Sequence, residues 1–216
     1  MKILSTWILL TISVHLFGQD TNKKNVSSDF PPYKETFYVL KSDQETKHGE
    51  YKKTYGGLLV TGQFESNKKT GVWEYFDRSG QLEQKIDFSA NKVILTRPMT
   101  LIENYFVKDG DSYKEVTPDE TPVFQGGESG VTFYFRNLRY PADARRMGIE
   151  GKVLILATVT QDGRLTDEEI LEGPRNGLRE EALRVIKMIP DEWIPGKVNG
   201  KTVDILVVIP VIFKLG

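Results

Sequence analysis

Tyr140-Pro141-Ala142-Asp143-Ala144-Arg145-Arg146-Met147-Gly148-Ile149-Glu150-Gly151-Lys152-Val153 opens the stretch that decides the fold of this 216-residue chain. Val203-Asp204-Ile205-Leu206-Val207-Val208-Ile209-Pro210-Val211-Ile212-Phe213 closes it. Proline suits a first helical turn, where its missing N–H would have no partner, so Ala142 to Met147 reads as a helix that Gly148 ends as its C-cap. Lys152 to Thr160 is apolar and β-branched, Gln161-Asp162-Gly163 is a tight turn, and Arg164 to Leu171 returns as a more polar strand. Asn176 is expected to cap a second helix. In that helix Leu178, Ala182, Val185, Ile186 and Ile189 form one apolar stripe, Arg179, Glu180, Arg184 and Lys187 stay wet, and Pro190 ends it. Trp193-Ile194-Pro195-Gly196 leads to Asn199-Gly200, a turn signal that launches the final strand. There Val203, Ile205, Val207, Ile209, Val211 and Phe213 share one face, and Leu206, Val208 and Ile212 lie on the other. The pattern is α+β, with a helix over one sheet face and a last strand that wants cover on both.

Upstream, residues 117–130 are polar and proline-bearing and read as a linker, after which Val131 to Phe135 is an aromatic helix or strand. Residues 33–116 show no helical stripe, only short aromatic-rich runs punctuated by glycine, which predicts an all-β meander. It contains a repeat: Phe64-Glu65-Ser66-Asn67-Lys68 recurs as Phe88-Ser89-Ala90-Asn91-Lys92, 24 residues later. Between the copies, Gly71-Val72-Trp73-Glu74-Tyr75-Phe76 alternates so that Trp73 and Tyr75 share a face opposite Phe76, and Ser79-Gly80 supplies a turn. Two hairpins make a marginal sheet, so covering strands are expected over Phe37–Leu40, Val93–Thr96 and Leu101–Val107. The rings read first as the core of a thin sheet; the functional alternative is a platform for a saccharide or a peptide.

Met1-Lys2, an apolar run from Ile3 to Phe17 and an abrupt polar turn at Gly18 have the layout of a secretory signal over residues 1–18. A 15-residue helix rises roughly 22 Å, short of a hydrocarbon core of roughly 30 Å. Leu16 is a poor residue two positions before a cleavage at Gly18, so a short uncleaved anchor stands as the alternative. Residues 19–32, polar and ending in Pro31-Pro32, read as a tether.

A formal net charge of −1 provides no general attraction to nucleic acid. With no cysteine and two histidines, disulfides, thiol chemistry, a cysteine-linked lipid and a histidine-rich metal site are excluded. His48 beside Gly49 reads as a turn residue. Gly196 to Thr202 falls one residue short of a phosphate loop and has no following helix, and Asp167-Glu168-Glu169 reads as a solvated strand face. Nothing points to an enzyme or to a cofactor.

The spaced series Tyr140-Pro141, Ala144, Gly148, Gly151-x-Val153, Asp162-Gly163, Glu181-Ala182-Leu183, Trp193-x-Pro195-Gly196, Gly200 and Pro210-x-x-Phe213 resembles the C-terminal domain of TonB-family proteins. Phe124-x-Gly126-Gly127 is similar to the form found in Bacteroidetes-type members, and the hairpins of residues 47–92 resemble bacterial MORN repeats. The resemblance implies a two-helix, three-stranded antiparallel domain over residues 131–216, preceded by a MORN-like β-repeat domain over residues 33–116. It implies a periplasmic module that grips an extended peptide of an outer-membrane transporter or another envelope partner by adding it to a sheet edge. Pro210, which cannot donate to a ladder, suggests that this edge belongs to the last strand, through Val203, Ile205, Val207, Ile209, Val211 and Phe213. Asn137 and Arg139 stand where some members carry a peptide-touching Gln-Pro pair. Tyr140, Pro141, Gly151, Gly163, Trp193, Pro195, Gly200 and Pro210 are the motif positions expected to hold the fold. Two other readings stay open. One is an inner-membrane-anchored transducer, in which Thr11 and His15 match the spacing of a membrane-helix Ser/His pair and motor proteins are partners. The other is an envelope scaffold built on the MORN-like sheet. The last strand's edge would also serve a homodimer.

Overall fold

The computed structural model describes residues 20–29 and 32–215. The signal-or-anchor reading of residues 1–18, and the Thr11/His15 spacing with it, lies outside the described residues. Seven strands form the first sheet: β1 (Thr21–Asp29), β2 (Pro32–Leu40), β3 (Lys47–Tyr55), β4 (Leu58–Glu65), β5 (Lys68–Phe76), β6 (Leu82–Asp87) and β7 (Lys92–Thr96). They follow one another in sequence order as an antiparallel meander, with His48 inside β3. The segment expected to be a tether is instead mostly β1, paired with β2 from Thr21↔Leu40 to Asp29↔Pro32. Its side chains are largely exposed, so the main chain supplies the pairing and no hydrophobic alternation announces it.

The repeat has a structural meaning. Ser66 and Asn67 turn between β4 and β5 with φ of 49° and 67°, the left-handed pair a two-residue hairpin demands. The repeated phenylalanines, Phe64 and Phe88, stand edge-on to Trp73 at 5.1 and 5.8 Å between ring centres. Trp73 is 1% exposed, and its indole lies on Gly62, where a Cβ would come within 2.2 Å of the ring. The aromatic ladder is therefore a core, as the sequence favoured.

Asp77 holds the β5–β6 turn. Its Oδ1 accepts from Ser79 N, Ser79 Oγ and Gln81 N, and its Oδ2 meets Arg97 at 2.7 Å. These bonds, those from Ser79 and Arg97 first, hold the carboxyl well below its ordinary value. A depressed folded pKa stabilises above the unfolded value of about 3.9 and loses that contribution as pH falls through the folded value. The denaturation midpoint of the parent should therefore exceed that of Asp77→Asn at pH 7, and the gap should narrow on acidification below pH 4; a gap that stays constant would refute the carboxylate's role.

The second sheet has the order β12 (Leu165–Glu172), β11 (Gly151–Val159), β16 (Ile205–Phe213), β8 (Tyr105–Asp109), β9 (Ser112–Glu115). Two short ladders join β10 (Val123–Phe124) to β13 (Trp193–Ile194), and β14 (Lys197–Val198) to β15 (Lys201–Thr202). Among the described residues three helices complete the fold: α1 (Gly127–Phe135), α2 (Ala142–Arg146) and α3 (Leu178–Ile186). The class is α+β and strand-rich as expected, but the C-terminal module has three helices and a five-stranded sheet where two and three were expected. The extra strands are β8 and β9; of residues 101–107, expected to widen the first sheet, only Tyr105 onward is strand, and it joins β16.

Residues 117–130 are no linker either. Val123 and Phe124 are 3% and 2% exposed, and α1 starts at Gly127. Gly126 and Gly127 both take positive φ, 101° and 63°, and a side chain on Gly127 would meet Glu83 Oε1 at 2.7 Å. Asn176 has a φ of 62° and precedes the N-cap Gly177, which bears no side-chain cap. The stripe of α3 is as expected, with Leu178, Ala182, Val185 and Ile186 at 0% exposure.

The two sheets are joined through β6. Gln84, fully buried, donates from Nε2 to Phe124 O at 3.0 Å and accepts at Oε1 from Gly126 N at 2.7 Å. Glu83 Oε1 accepts from Ser129 N at 2.9 Å.

Candidate functional site

Alternation along β16 decides what its two edges offer. Val208 N donates to Asn104 O at 3.3 Å and Val208 O accepts from Glu103 N at 3.2 Å. Even-numbered residues therefore turn their main chain toward β8, and odd-numbered residues turn theirs toward β11. The ladder to β8 spans only Leu206↔Phe106 and Val207↔Tyr105. Beyond Val208 the same edge presents the carbonyl of Pro210, which has no N–H, and then both main-chain groups of Ile212. Ile212 is 58% exposed, in a strand otherwise buried. The last strand is thus paired on both sides over its first half, and among the described residues no strand pairs with this edge over its second.

The residues expected to touch a partner fall elsewhere. Ile205, Val207, Ile209 and Val211 are 0% exposed and Phe213 is 3% exposed, all packed into the main core; Val203 precedes the strand and packs on the same core. Their side chains hold β16 down and cannot reach a ligand on its edge, because period-2 alternation sends them into the face beneath α3. Asn137 and Arg139 are tied to the helix layer. Asn137 Nδ2 donates to Tyr134 O and Asn137 O accepts from Arg184 Nη2 at 2.7 Å. Arg139 N donates to Glu181 Oε1 at 2.6 Å. The Arg184 guanidinium, with that main-chain bond, holds the Glu181 carboxyl below its ordinary range.

The motif positions brace this arrangement. Tyr140 Oη donates to Ile149 O at 2.5 Å, and its ring meets Phe213 edge-on at 5.8 Å. Pro141 lies against Gly177 and is the N-cap of α2. Gly151 pairs with Phe213 in a place where a Cβ would meet Pro174 at 2.7 Å. Gly163, φ 81°, makes the β11–β12 turn and accepts from Trp193 N at 3.1 Å. Pro195 bridges β13 to β14, whose turn Asn199-Gly200 has φ of 52° and 70°; Gly200 N donates to Asp119 Oδ2 at 2.7 Å. Pro210 is buried opposite Leu154 of β11.

The β8–β9 hairpin is the part of the site that sequence reasoning missed. Its turn signal, Asp109-Gly110 with Gly110 at φ 62°, is legible. Nothing in Tyr105-Phe106-Val107-Lys108 says which sheet the strand joins.

Among the described residues, no helix is long and apolar enough to cross a membrane. No match is found among curated proteins, and none among solved structures. Residues 136–215, which hold α2, β11, β12, α3 and β16, match the family described as Gram-negative bacterial TonB protein C-terminal.

Proposed function

We propose that this protein is a non-enzymatic, TonB-like component of envelope transport. It binds an extended peptide of an outer-membrane transporter or another envelope partner by adding it as a strand to the free edge of β16. The observation that carries this reading is that the edge already accepts an extended segment, β8, over two antiparallel pairs, and that no strand among the described residues pairs with it from Pro210 to Phe213. Strand addition draws its affinity from main-chain bonds, with specificity from alternate side chains. The contact groups are then the main chain of Leu206, Val208, Pro210 and Ile212 and the exposed Ile212 side chain. The buried odd-numbered series presents them. A peptide longer than the open stretch has to displace β8.

Tyr105 and Val207 face each other across the β8–β16 ladder, so the double variant Tyr105→Cys/Val207→Cys provides a lock that reduction opens. TonB-box peptides titrated into the full chain should shift amides from Leu206 to Phe213 when the lock is reduced. Oxidation should weaken binding about tenfold, equivalent to ~1.4 kcal/mol. Equal affinity in both states would confine the peptide to Pro210–Phe213, and no shift at millimolar peptide in either state would reject strand addition.

Export follows from the signal-like residues 1–18. Mass spectrometry of the exported protein should find a start at Gln19 or later; a retained Met1 would place the protein at the inner membrane as an anchored transducer.

A further inference from the structure

A cleft of about 550 Å³ opens between the first sheet and the C-terminal module, on the side of the sheet that carries Trp73. Its walls include Tyr51, Tyr55, Trp73 and Tyr75 from the sheet and Phe133 and Tyr134 from α1. Packing of a thin sheet accounts for the rings. It does not account for the charges among them.

Three lysines and two glutamates line the same cleft. Lys47 and Glu35 satisfy each other at 2.8 Å. Lys69 Nζ has a neutral partner, Gln125 Oε1 at 2.6 Å, and stands 4.8 Å from the centre of the Trp73 ring. Lys53 Nζ lies 5.4 Å from the rings of Tyr33 and Tyr55. Among the described residues neither Lys53, Lys69 nor Glu192 has an ion pair. All belong to one electrostatic neighbourhood: burial lowers the Lys69 pKa, Glu192 raises it, and Lys53 and Lys47 lower it. Tyr75 adds a second anomaly. It is 4% exposed, and among the described residues its Oη has no hydrogen-bond partner, an unfavourable state for a buried hydroxyl.

We propose that this cleft binds a saccharide that carries a carboxylate. Aromatic walls suit the C–H face of a pyranose, and a cleft between packed units with a few convergent polar groups is a common form of ligand site. Two unpaired ammonium groups, Lys53 and Lys69, face one unpaired carboxylate, Glu192. The excess of one positive charge matches a single carboxylate on the ligand; a neutral sugar leaves that excess in place, and a polyanion meets Glu192. Glu192 and Gln125 accept from sugar hydroxyls, and Tyr75 Oη gains the partner it lacks. The cleft is separate from the β16 edge, so this inference stands or falls independently of peptide binding.

The test is a titration of the full chain, followed by amide and indole NMR, with glucuronic, galacturonic and N-acetylmuramic acids. Methyl glucoside serves as the neutral control and benzoate as a planar anion without hydroxyls. At least one sugar acid should shift Trp73 and Gln125 and bind at least tenfold more tightly than methyl glucoside. Lys69→Met should remove that preference, and Lys53→Met serves if the first variant fails to fold. Tyr75→Phe should raise the melting temperature, because it removes an unpaired buried hydroxyl, while weakening the sugar acid. No shift from any of the three acids at tens of millimolar would overturn the proposal, as would benzoate binding as tightly as they do. Tyr75→Phe with unchanged affinity would overturn it as well.

Discussion

Trp193→Ala is expected to lower the unfolding free energy by about 3 to 5 kcal/mol, the range for emptying an aromatic site in a packed core. Trp193 is 4% exposed, and its ring meets Phe124 edge-on at 5.4 Å. Its main chain also pairs β13 with β10, and its N–H reaches the carbonyl of Gly163 in the β11–β12 turn. A Cβ on Gly163 would come within 2.3 Å of the Trp193 carbonyl oxygen, so the turn and the tryptophan segment are in close contact and have little room to collapse into the cavity. Trp193 Nε1 is buried without a partner among the described residues. Trp193→Phe keeps most of the ring and removes that unsatisfied donor, and should therefore lose far less than the alanine variant. Urea denaturation of the two variants measures both effects. A loss below about 1 kcal/mol for Trp193→Ala, outside the range for such a truncation, would mean that the ring is not core.

Gln84→Leu carries the second large effect. Leucine preserves much of the volume but strips the amide of its bonds, leaving Phe124 O and Gly126 N buried without the partners they have now. Each of the two stranded groups is unfavourable by about 1 to 3 kcal/mol, so the variant should lose about 2 to 6 kcal/mol. The loss has a location. Gln84 sits on β6 of the first sheet and its partners introduce α1 of the C-terminal module, so the variant should also divide the unfolding of the two units. Calorimetry should show one transition for the parent chain and two, or one broadened transition, for Gln84→Leu. A single sharp transition at the parental temperature would show that the two sheets are coupled by other contacts.

Much of the C-terminal module was legible in the chain. The stripe of α3, the turns at Asp162-Gly163 and Asn199-Gly200, and the buried Trp193 all follow from local rules: helical period, left-handed turn residues and apolar size; so does the buried Trp73 of the first sheet. β1 was not legible, because an exposed strand made of Thr21-Asn22-Lys23-Lys24-Asn25 has main-chain partners and no buried face. The side chains expected to line the last strand's edge lie in the core for a related reason. Alternation correctly separated the odd and even positions of the last strand, but the odd, more hydrophobic series belongs to the core, and an added strand would meet the even positions through their main chain.

Residues 140–213, taken as sequence, determined the helix–strand order, the buried face of the last strand and, through Pro210, a gap in its hydrogen-bonding edge. Only the tertiary structure decided that β8 pairs with the first half of that edge and not with the second. Side-chain periodicity records which face of a strand is buried. The edge is made of N–H and C=O groups that nearly every residue shares, so its neighbour is chosen by what the rest of the chain can bring alongside.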